Sequence, residues 1–321
     1  MARILITGGT GFVGPHLLAC LQTRNSSLAV LASGENTARL PGVDYYEADI
    51  RNANAVKTIV QEVKPEQIFH LAGISDVESA WNNPRQTYEV NFWGTLNVVE
   101  AAMELPRPPR ILNVSTAHVY APSSRPLSET DRVAPDNPYA ASKAMAELLM
   151  VATRKRATGG IITARAFNHT GPGQSEKFAL PSIARQFAEI HGGLRPPRLL
   201  LGNIKVRRDF TDVRDVVRAY CLLLERGTVG EIYNVCSGSA VPLTDIISLF
   251  RSLVSGEVEI ETDPSKLRGH EADTICGNPE KIFAATGWRP QIPLSKTVSD
   301  LLDYWRCRIT GEVPQITETR Q

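Results

Sequence analysis

The 321-residue sequence has few of the features that mark secreted, metal-binding or membrane proteins. Its five cysteines are scattered and form no C-x-x-C pair, which argues against a disulfide framework and against a metal site. No apolar run reaches membrane-spanning length, and a strand-like stretch begins at once, so we expect no signal peptide. A formal net charge of +1 gives no basic surface for nucleic acid or lipid. The sequence therefore predicts a cytoplasmic protein with buried thiols and no metal, nucleic-acid or membrane partner.

Short apolar strands alternate with amphipathic helices through the first half. The strand-like stretches are "RILIT", "SLAVLAS", "QIFHLAG", "RILNVST" and "GIITARA". The helical stretches between them are Pro15 to Arg24, Ala53 to Val63, Tyr88 to Met103 and Tyr139 to Ala157. This alternation predicts an α/β fold with a Rossmann-like, doubly wound parallel sheet that binds ligands at the carboxyl ends of its strands.

The alternation loosens after Phe167, where Pro and Gly become dense, and then returns in the helix Val213 to Glu225 and the strand "EIYNVCS". We therefore predict a dinucleotide-binding domain of residues 1–166 plus about 211–240. A smaller, interwoven C-terminal lobe of about 167–210 plus 241–321 is expected to bind substrate.

The turn "TGGTGFVG" (7–14) joins the first strand to the first helix. In a dinucleotide site Gly8 makes the tight turn, Gly11 lets the backbone approach a pyrophosphate, and Gly14 lets helix and strand pack closely. Pro15 suits the first helical position. An ordinary glycine-rich turn is the alternative, but the strand before it and the helix after it favour a cofactor site. The remaining predicted contacts in the turn are Thr10, Phe12 and Val13.

The second strand lacks the terminal acid that grips the ribose 2′-hydroxyl of NAD, since it ends at Ala32 and Ser33. Ser33 and Arg39 are instead suited to the 2′-phosphate of NADP. The sequence thus predicts NADP(H), or the use of NAD(H) as well. Asp49 is expected at the adenine edge, although a role as the cap of the following helix is equally consistent with its position.

"PYAASK" (138–143) places Tyr139 and Lys143 four residues apart, on one face of a helix. A tyrosine is a poor acid at neutral pH because its usual pKa is about 10. The neighbouring ammonium is expected to lower that pKa and make Tyr139 a proton donor. Thr116, at the end of a strand, can donate to the same substrate oxygen. Taken alone, such a pair is usually structural or a surface contact.

These residues stand in an ordered series with "HLAG" (70–73), "NFWGTLN" (91–97) and "STAHVY" (115–120). With this series the sequence resembles the extended short-chain dehydrogenase/reductase family over nearly its whole length. The resemblance implies that Thr116, Tyr139 and Lys143 form the catalytic set and that Asn91 supports the lysine. A local backbone contact is the alternative for Asn91, and His70 reads as structural. The resemblance also implies cofactor contacts from Ile50, Leu71, Ala72 and Gly73.

Three later stretches resemble members of that family that act on GDP-sugars: "RAFNHTGPGQ" (165–174), "LGNIKVRRDFTDVRDV" (201–216) and "LRGHEAD" (267–273). On this resemblance Arg208 and Arg268 clamp phosphates, because guanidinium groups bind two oxygens at once. A surface ion pair of Arg208 with Asp209 or Asp212 is the alternative. The other implied substrate contacts are Asn168, Phe178, Ala179, Arg185, Asn203 and Glu271.

The sequence lacks an acid where the family's dehydratases carry one, two residues after the catalytic threonine, since His118 stands there. The family's epimerases hold NAD with an acid that would fall near Ala32, and it is absent too. A reductase needs neither group. We therefore expect an NAD(P)H-dependent reductase of the carbon-4 ketone of GDP-4-keto-6-deoxy-mannose, with a 4,6-dehydratase or 4-epimerase as the alternative.

Two further readings concern catalysis and assembly. Some proteins of this fold bind a dinucleotide as sensors or scaffolds, but they commonly lose the tyrosine or the lysine that this chain keeps.

In the resembled family the two long helices pair as a four-helix bundle, which predicts a homodimer through Leu96, Met145, Leu149 and Met150. The alternative is that these side chains face the sheet.

Overall fold

The computed structural model describes residues 2–24, 26–34, 39–153, 159–267 and 272–311. Its centre is a sheet of seven parallel strands in the order β10-β6-β5-β4-β1-β2-β3, so the prediction of a Rossmann-like α/β fold is confirmed. These strands are β1 Ala2–Thr7, β2 Ser26–Ala32, β3 Val43–Glu47, β4 Gln67–His70, β5 Arg110–Thr116, β6 Ile161–Ala166 and β10 Ile232–Val235.

Helices cover both faces of this sheet. The helices of the described chain are α1 Val13–Gln22, α2 Ala53–Val63, α3 Val77–Asn82, α4 Pro84–Tyr88, α5 Thr95–Met103, α6 Pro138–Thr153, α7 Ala179–His191, α8 Val213–Arg226, α9 Leu243–Arg251, α10 Glu280–Thr286 and α11 Leu294–Thr310. One core cluster joins the sheet to α1, α8 and α10, and a second joins it to α2, α5 and α6. Each helix contributes one apolar stripe to its cluster, as expected for helices packed on a sheet.

The remaining strands form two smaller sheets beside the large one. They are β7 Asn168–Thr170, β8 Arg198–Leu201, β9 Arg207–Asp212, β11 Ala240–Pro242, β12 Glu259–Thr262 and β13 Thr274–Ile275. A third core cluster packs α7, α9 and α11 on β8, with Phe187 stacked on Phe250 at 5.5 Å between ring centroids. This lobe has its own core, while the position of the boundary between the domains stays a prediction.

Asp209 connects the small lobe to the loops that follow the large sheet. Its carboxylate is fully buried and accepts hydrogen bonds from Ser237, Gly238 and Gly277. Burial raises the pKa of this carboxyl group, and the four hydrogen bonds oppose that shift. Farther along the chain, Ile282 and Trp288 are buried in the core cluster that contains residues of α8.

Several sequence-based expectations need correction. Helix α1 begins at Val13, so Pro15 is its third residue; it is tolerated because the first turn has no intrahelical acceptors for its N–H groups. The predicted helix from Tyr88 to Met103 is interrupted by a π-helical segment, Glu89–Gly94. Of the five thiols, those of Cys20, Cys276 and Cys307 are only partly buried.

The outward face of α6 also differs from the prediction. Met150 is buried in the core beneath the sheet, and Leu96 and Leu149 are half-buried. Met145 is exposed as predicted, but Leu148 and Val151 are exposed as well. The pattern misassigned Met150 because the helix is apolar on most of its circumference, so periodicity does not separate its two faces.

Candidate active site

The glycine-rich turn sits between β1 and α1, at the carboxyl edge of the large sheet. Gly8 has a positive φ of +69°, and a Cβ there would lie 2.6 Å from the Ala72 Cα, so glycine is required twice over. At Gly14 a Cβ would overlap the carbonyl group of Gly9. The helix and the turn can approach this closely because glycine has no Cβ. The turn therefore offers exposed backbone and a helix N-terminus at one point, as a pyrophosphate site needs.

An aromatic contact links this turn to the small lobe. The Phe12 ring stacks on the ring of His169 at 6.0 Å and 9°, and His16 meets its edge at 5.7 Å. His16 also bonds the carbonyl oxygen of Pro172 at 2.9 Å. The predicted cofactor turn and the predicted substrate segment are thus in direct contact, which the sequence did not indicate.

The groups predicted near the adenosine lie along the ends of β2 and β3. Ser33 is exposed just after β2, and the Arg39 guanidinium lies 5.5 Å from the centroid of the Tyr45 ring. Ile50 is buried, where it packs against Gly94. These positions leave the roles of Ser33, Arg39 and Ile50 as predictions.

Asp49 does not cap the following helix, so that alternative is wrong. The cap of α2 is Asn52, whose side chain accepts from the Ala55 N–H at 3.1 Å. Asp49 instead accepts two bonds from the Arg51 side chain, at 2.6 and 2.9 Å, and the nearby guanidinium lowers the pKa of its carboxyl group.

The three predicted catalytic side chains converge at the end of β5. Thr116 is the last residue of that strand, and Tyr139 and Lys143 follow on the first turns of α6. All three are buried, and the Thr116 hydroxyl hydrogen-bonds the Tyr139 phenol. The Lys143 Nζ donates to the Val114 carbonyl oxygen at 2.9 Å. A strand end and a helix thus hold a hydroxyl, a phenol and an ammonium in one place.

The predicted lowering of the Tyr139 pKa is not what the structure gives. Burial raises the pKa of this phenol, and the hydrogen bond from Thr116 only partly opposes the shift. Burial also lowers the pKa of Lys143 to about 8, while the charge of Glu147 acts to raise it. Helical spacing places Tyr139 and Lys143 close together but does not report how much solvation each loses, so the predicted lowering was wrong.

Asn91 supports the first turn of α6 from the π-helical segment. Its amide nitrogen donates to the Ile74 carbonyl and to the Ser142 Oγ, both at 2.9 Å, and Ser142 donates to the Tyr139 carbonyl. A Cβ at Gly73 would lie 3.0 Å from the Asn91 Oδ1 and 3.2 Å from the Lys143 Nζ. Asn91 and Lys143 therefore meet at Gly73, beside Leu71 and Ala72 at the end of β4.

His70 is structural, as the sequence indicated. Its Nδ1 bonds the Thr7 Oγ1 at 2.7 Å, and its Nε2 bonds the Thr95 Oγ1 at 2.9 Å. Burial, helped by the Lys143 charge, lowers the pKa of this imidazole to about 3. A neutral His70 therefore ties β1, β4 and α5 together.

The predicted substrate residues that the structure describes lie in the small lobe. Asn168 begins β7, which pairs with β9 at Phe210, and Phe178 and Ala179 stand at the start of α7. The Asn203 Oδ1 accepts from the Lys205 N–H at 3.0 Å. Arg208 is buried, and its guanidinium donates to the carbonyl of Arg207 at 2.9 Å. Arg268 and Glu271 lie outside the described residues.

Arg185 has a different setting from the one expected for a substrate contact. Its guanidinium bonds Glu176 at 2.8 Å and Glu189 at 2.7 Å, so its charge is already matched by two carboxylates. It lines a cavity of about 500 Å³ with Tyr304, Trp305 and others, and none of the three predicted catalytic residues lines it. A substrate role for Arg185 stays a prediction, and these contacts give it no support.

With this geometry in view, comparisons with known proteins identify the family. Residues 5–301 match the family described as GDP-mannose 4,6 dehydratase. The chain belongs to this family.

Individual relatives of the family are similar over nearly the full length. The chain is 34% identical to the GDP-6-deoxy-D-mannose reductase of Pseudomonas aeruginosa, covering 97% of this chain and 99% of the relative. It is 28% identical to the GDP-6-deoxy-D-talose 4-dehydrogenase of Aggregatibacter actinomycetemcomitans, covering 89% and 91%. These relatives agree with the prediction of an oxidoreductase acting on nucleotide sugars.

A solved structure shows the same fold. The structure of RMD from Pseudomonas aeruginosa complexed with NADPH superimposes with a TM-score of 0.86 at 34% identity, covering 96% of this chain and all of that one. Within the described residues, no helix is long and apolar enough to cross a membrane.

His118 lies beside the predicted catalytic residues. It lies in a 3₁₀ turn, Ala117–Val119. The Thr116 Oγ1 accepts a hydrogen bond from the His118 N–H at 3.2 Å. Its ring meets the Tyr139 ring edge-on, with 6.1 Å between centroids. The position at which the sequence lacks a carboxylate therefore faces the phenol.

Several residues around the predicted site were not expected from the sequence. Ser142 connects Asn91 to Tyr139, and Gly9 packs its backbone under Gly14. Glu147 stands one turn after Lys143, and the four-residue spacing between them was a signal for a charge pair on α6.

Proposed function

We propose that this protein is an NAD(P)H-dependent reductase of the carbon-4 ketone of GDP-4-keto-6-deoxy-D-mannose. The product is GDP-6-deoxy-D-mannose, that is GDP-D-rhamnose, or its carbon-4 epimer. The observation that carries this proposal is the buried group of Thr116, Tyr139 and Lys143, beside a histidine where a dehydratase has its acid. The similarity to a GDP-6-deoxy-D-mannose reductase supports the choice of substrate.

The residues at the carboxyl edge of the large sheet fit NADP(H). Gly8 and Gly14 are required by close backbone contacts with Ala72 and Gly9, and Gly11 leaves the turn open where a pyrophosphate approaches. Ala32, the last residue of β2, carries no charge that would repel a 2′-phosphate, and Ser33 and Arg39 follow it. When bound, the cofactor supplies the hydride, and NAD(H) is the second candidate.

The protein's own side chains handle the proton and the orientation. We assign to Tyr139 the donation of a proton to the carbon-4 oxygen as negative charge develops there. We assign to the Thr116 hydroxyl, which hydrogen-bonds the phenol, the polarisation of the same oxygen. The Lys143 ammonium favours the phenolate that proton donation leaves behind. We assign the GDP moiety to Asn168, Asn203 and Arg208 in the small lobe.

Two other reactions of the family fit less well. A 4,6-dehydratase removes a proton from carbon 5 and protonates a leaving hydroxyl, which needs an acid and base where His118 stands. A 4-epimerase keeps its NAD through an acid at the end of β2, where this chain has Ala32. A non-catalytic sensor would not need a buried hydroxyl, phenol and ammonium together at the end of one strand.

The proposal predicts a specific pattern of substrate use. GDP-4-keto-6-deoxy-D-mannose should oxidise one NADPH for each sugar consumed, whereas GDP-mannose should give no reaction. Absorbance of the reduced cofactor measures the stoichiometry, NADH gives the cofactor preference, and NMR of the sugar gives its carbon-4 configuration. Formation of a keto sugar from GDP-mannose without added cofactor would refute the reductase. Tight NADPH binding without turnover of either sugar would favour the sensor.

We also propose that the protein is a cytoplasmic homodimer. The outer face of α6 exposes Met145, Leu148 and Val151, and Trp93 is 55% exposed on the neighbouring π-helical segment. An apolar surface of this kind on adjacent helices suits a four-helix bundle between two copies.

A substitution on this face tests the dimer. Leu148 is 70% exposed, so L148E should fold normally while placing two like charges in a symmetric interface. Light scattering at micromolar concentration should give twice the chain mass for the wild type and one chain mass for L148E. Leu194 is 68% exposed outside these helices, and L194E is the matched control that should stay dimeric. A monomeric wild type would reject the proposal.

A further inference from the structure

A buried polar cluster lies between β5, β6 and α6, next to the strand end that carries Thr116. It consists of Ser115, Glu147 and Arg165, which are 3%, 6% and 3% exposed, and we refer to it as the Glu147 cluster. The Arg165 guanidinium donates to the Glu147 carboxylate from Nε at 3.0 Å and from Nη2 at 2.7 Å. The Ser115 Oγ donates to the Glu147 Oε1 at 2.5 Å.

The cluster is connected to the catalytic side chains through one strand and one helix. Ser115 stands between Val114, whose carbonyl accepts from Lys143, and Thr116, which bonds Tyr139. Successive side chains of a strand point to opposite faces of the sheet. Ser115 therefore ties one face of β5 to Glu147, while Thr116 points to the other face, toward the phenol. On α6, Glu147 follows Lys143 by one turn.

The stability of the fold does not by itself account for a buried ion pair such as that of Glu147 with Arg165. Removing two charges from water offsets most of their attraction, and apolar residues of similar volume often give an equally stable protein. Here the pair lies across α6 and β6, one turn from the lysine of the proposed reductase site.

We infer that Glu147 is a positioning residue, whose carboxylate fixes the strand end that carries Thr116 and stabilises the ammonium form of Lys143. This inference rests on the proposed function, because a reductase of this type needs Lys143 charged beside Tyr139. It assigns the ion pair of Glu147 with Arg165 an electrostatic task in addition to packing.

The sign of the electrostatic effect follows from the surroundings of Lys143. Burial lowers the pKa of this ammonium to about 8, and the negative charge of Glu147 opposes the change. Removing that charge therefore lowers the pKa further, so that Lys143 loses its proton at a lower pH. The Arg165 guanidinium stays protonated, because Glu147 raises its already high pKa.

The other titratable groups near Lys143 do not produce the same effect. On β4, His70 has a pKa of about 3 and is neutral throughout the working range. On α6, burial raises the pKa of Tyr139 above its usual value of about 10, so it ionises after Lys143. The His118 ring, in the 3₁₀ turn, contacts the ring of Tyr139.

The variant E147Q tests the inference, because it keeps the shape of the side chain and removes its charge. The pH profile of kcat/KM for NADPH reports the groups of the free enzyme. We expect the loss of activity at high pH to begin about one pH unit lower in E147Q than in the wild type. At a pH above both transitions, the activity of each enzyme is divided by its own plateau value. This ratio should be about tenfold lower for E147Q than for the wild type.

Two further variants separate charge from packing. S115A removes the hydrogen bond but keeps both charges, so its high-pH transition should stay at the wild-type position, whatever its plateau. E147Q leaves Arg165 unpaired in the core, which costs roughly 3–5 kcal/mol and can prevent folding. The double variant E147Q/R165M removes both buried charges and should fold. Its transition should move in the same direction as that of E147Q but by less, because the positive charge of Arg165 is removed as well.

The outcomes distinguish this inference from the proposed function. A lower melting temperature with an unmoved transition, in E147Q and in the double variant, would make the cluster purely structural and overturn the inference. The dissociation constant of NADPH as a function of pH gives the same comparison without any sugar. Failure of the wild type to reduce the keto sugar would reject the function alone, and failure to bind NADPH would reject both.

Discussion

Substitution of Tyr139 by phenylalanine should lower kcat for the keto sugar by roughly 10²–10⁴-fold, the usual contribution of a positioned proton donor. The phenol is buried at the end of β5 and bonded to Thr116, so water cannot easily replace it. The ring itself remains, and with it the edge contact to His118. We therefore expect the dissociation constant of NADPH and the melting temperature of Y139F to stay close to those of the wild type.

The control for this prediction is a second buried tyrosine. The hydroxyl of Tyr220, on α8, has no hydrogen-bond partner within the described part of the chain, and its ring lies in the core. Y220F should therefore retain wild-type activity. If Y139F keeps more than about a tenth of the wild-type kcat, another group donates the proton, and Tyr139 is not the acid.

Substitution of Gly14 by alanine should damage both the fold and the cofactor site. The added Cβ would overlap the Gly9 carbonyl, so α1 must move away from the turn. Overpacking of this kind costs typically 1–3 kcal/mol, which predicts a fall in melting temperature of roughly 2–10 °C. Because the N-terminus of α1 moves with the helix, NADPH binding should weaken at least tenfold, roughly the equivalent of 1.4 kcal/mol.

The matched control is Gly11, in the same turn. A Cβ at Gly11 would meet the Gly8 carbonyl oxygen at 3.3 Å, a contact that a small shift relieves. G11A should therefore keep the wild-type melting temperature and yet weaken NADPH binding, because Gly11 is where the pyrophosphate approaches. Equal melting temperatures for G14A and the wild type would show that the turn tolerates a side chain at position 14 and that our account of this glycine is wrong.

The sequence by itself determined the fold class and the place of the site. Strands and helices alternate in the pattern typical of a parallel sheet packed against helices, and the glycine turn marks where its first strand ends. The order of the motifs then carried the resemblance to the extended short-chain dehydrogenase/reductase family, and that resemblance implied that Thr116, Tyr139 and Lys143 act together. The sequence also shows Ala32 and His118 where the resemblance implies acids in an epimerase and in a dehydratase, and this comparison needed no coordinates.

Tertiary structure alone decided the electrostatics of the site and the faces of its helices. The phenol of Tyr139 has a raised pKa because burial outweighs its hydrogen bond, and no sequence spacing reports burial. Met150 and Leu148 are two residues apart on one apolar helix, and only packing against the sheet made one of them core and the other surface. The ion pair of Glu147 with Arg165 joins side chains 18 residues apart across α6 and β6, a distance in the chain at which local patterns carry no information.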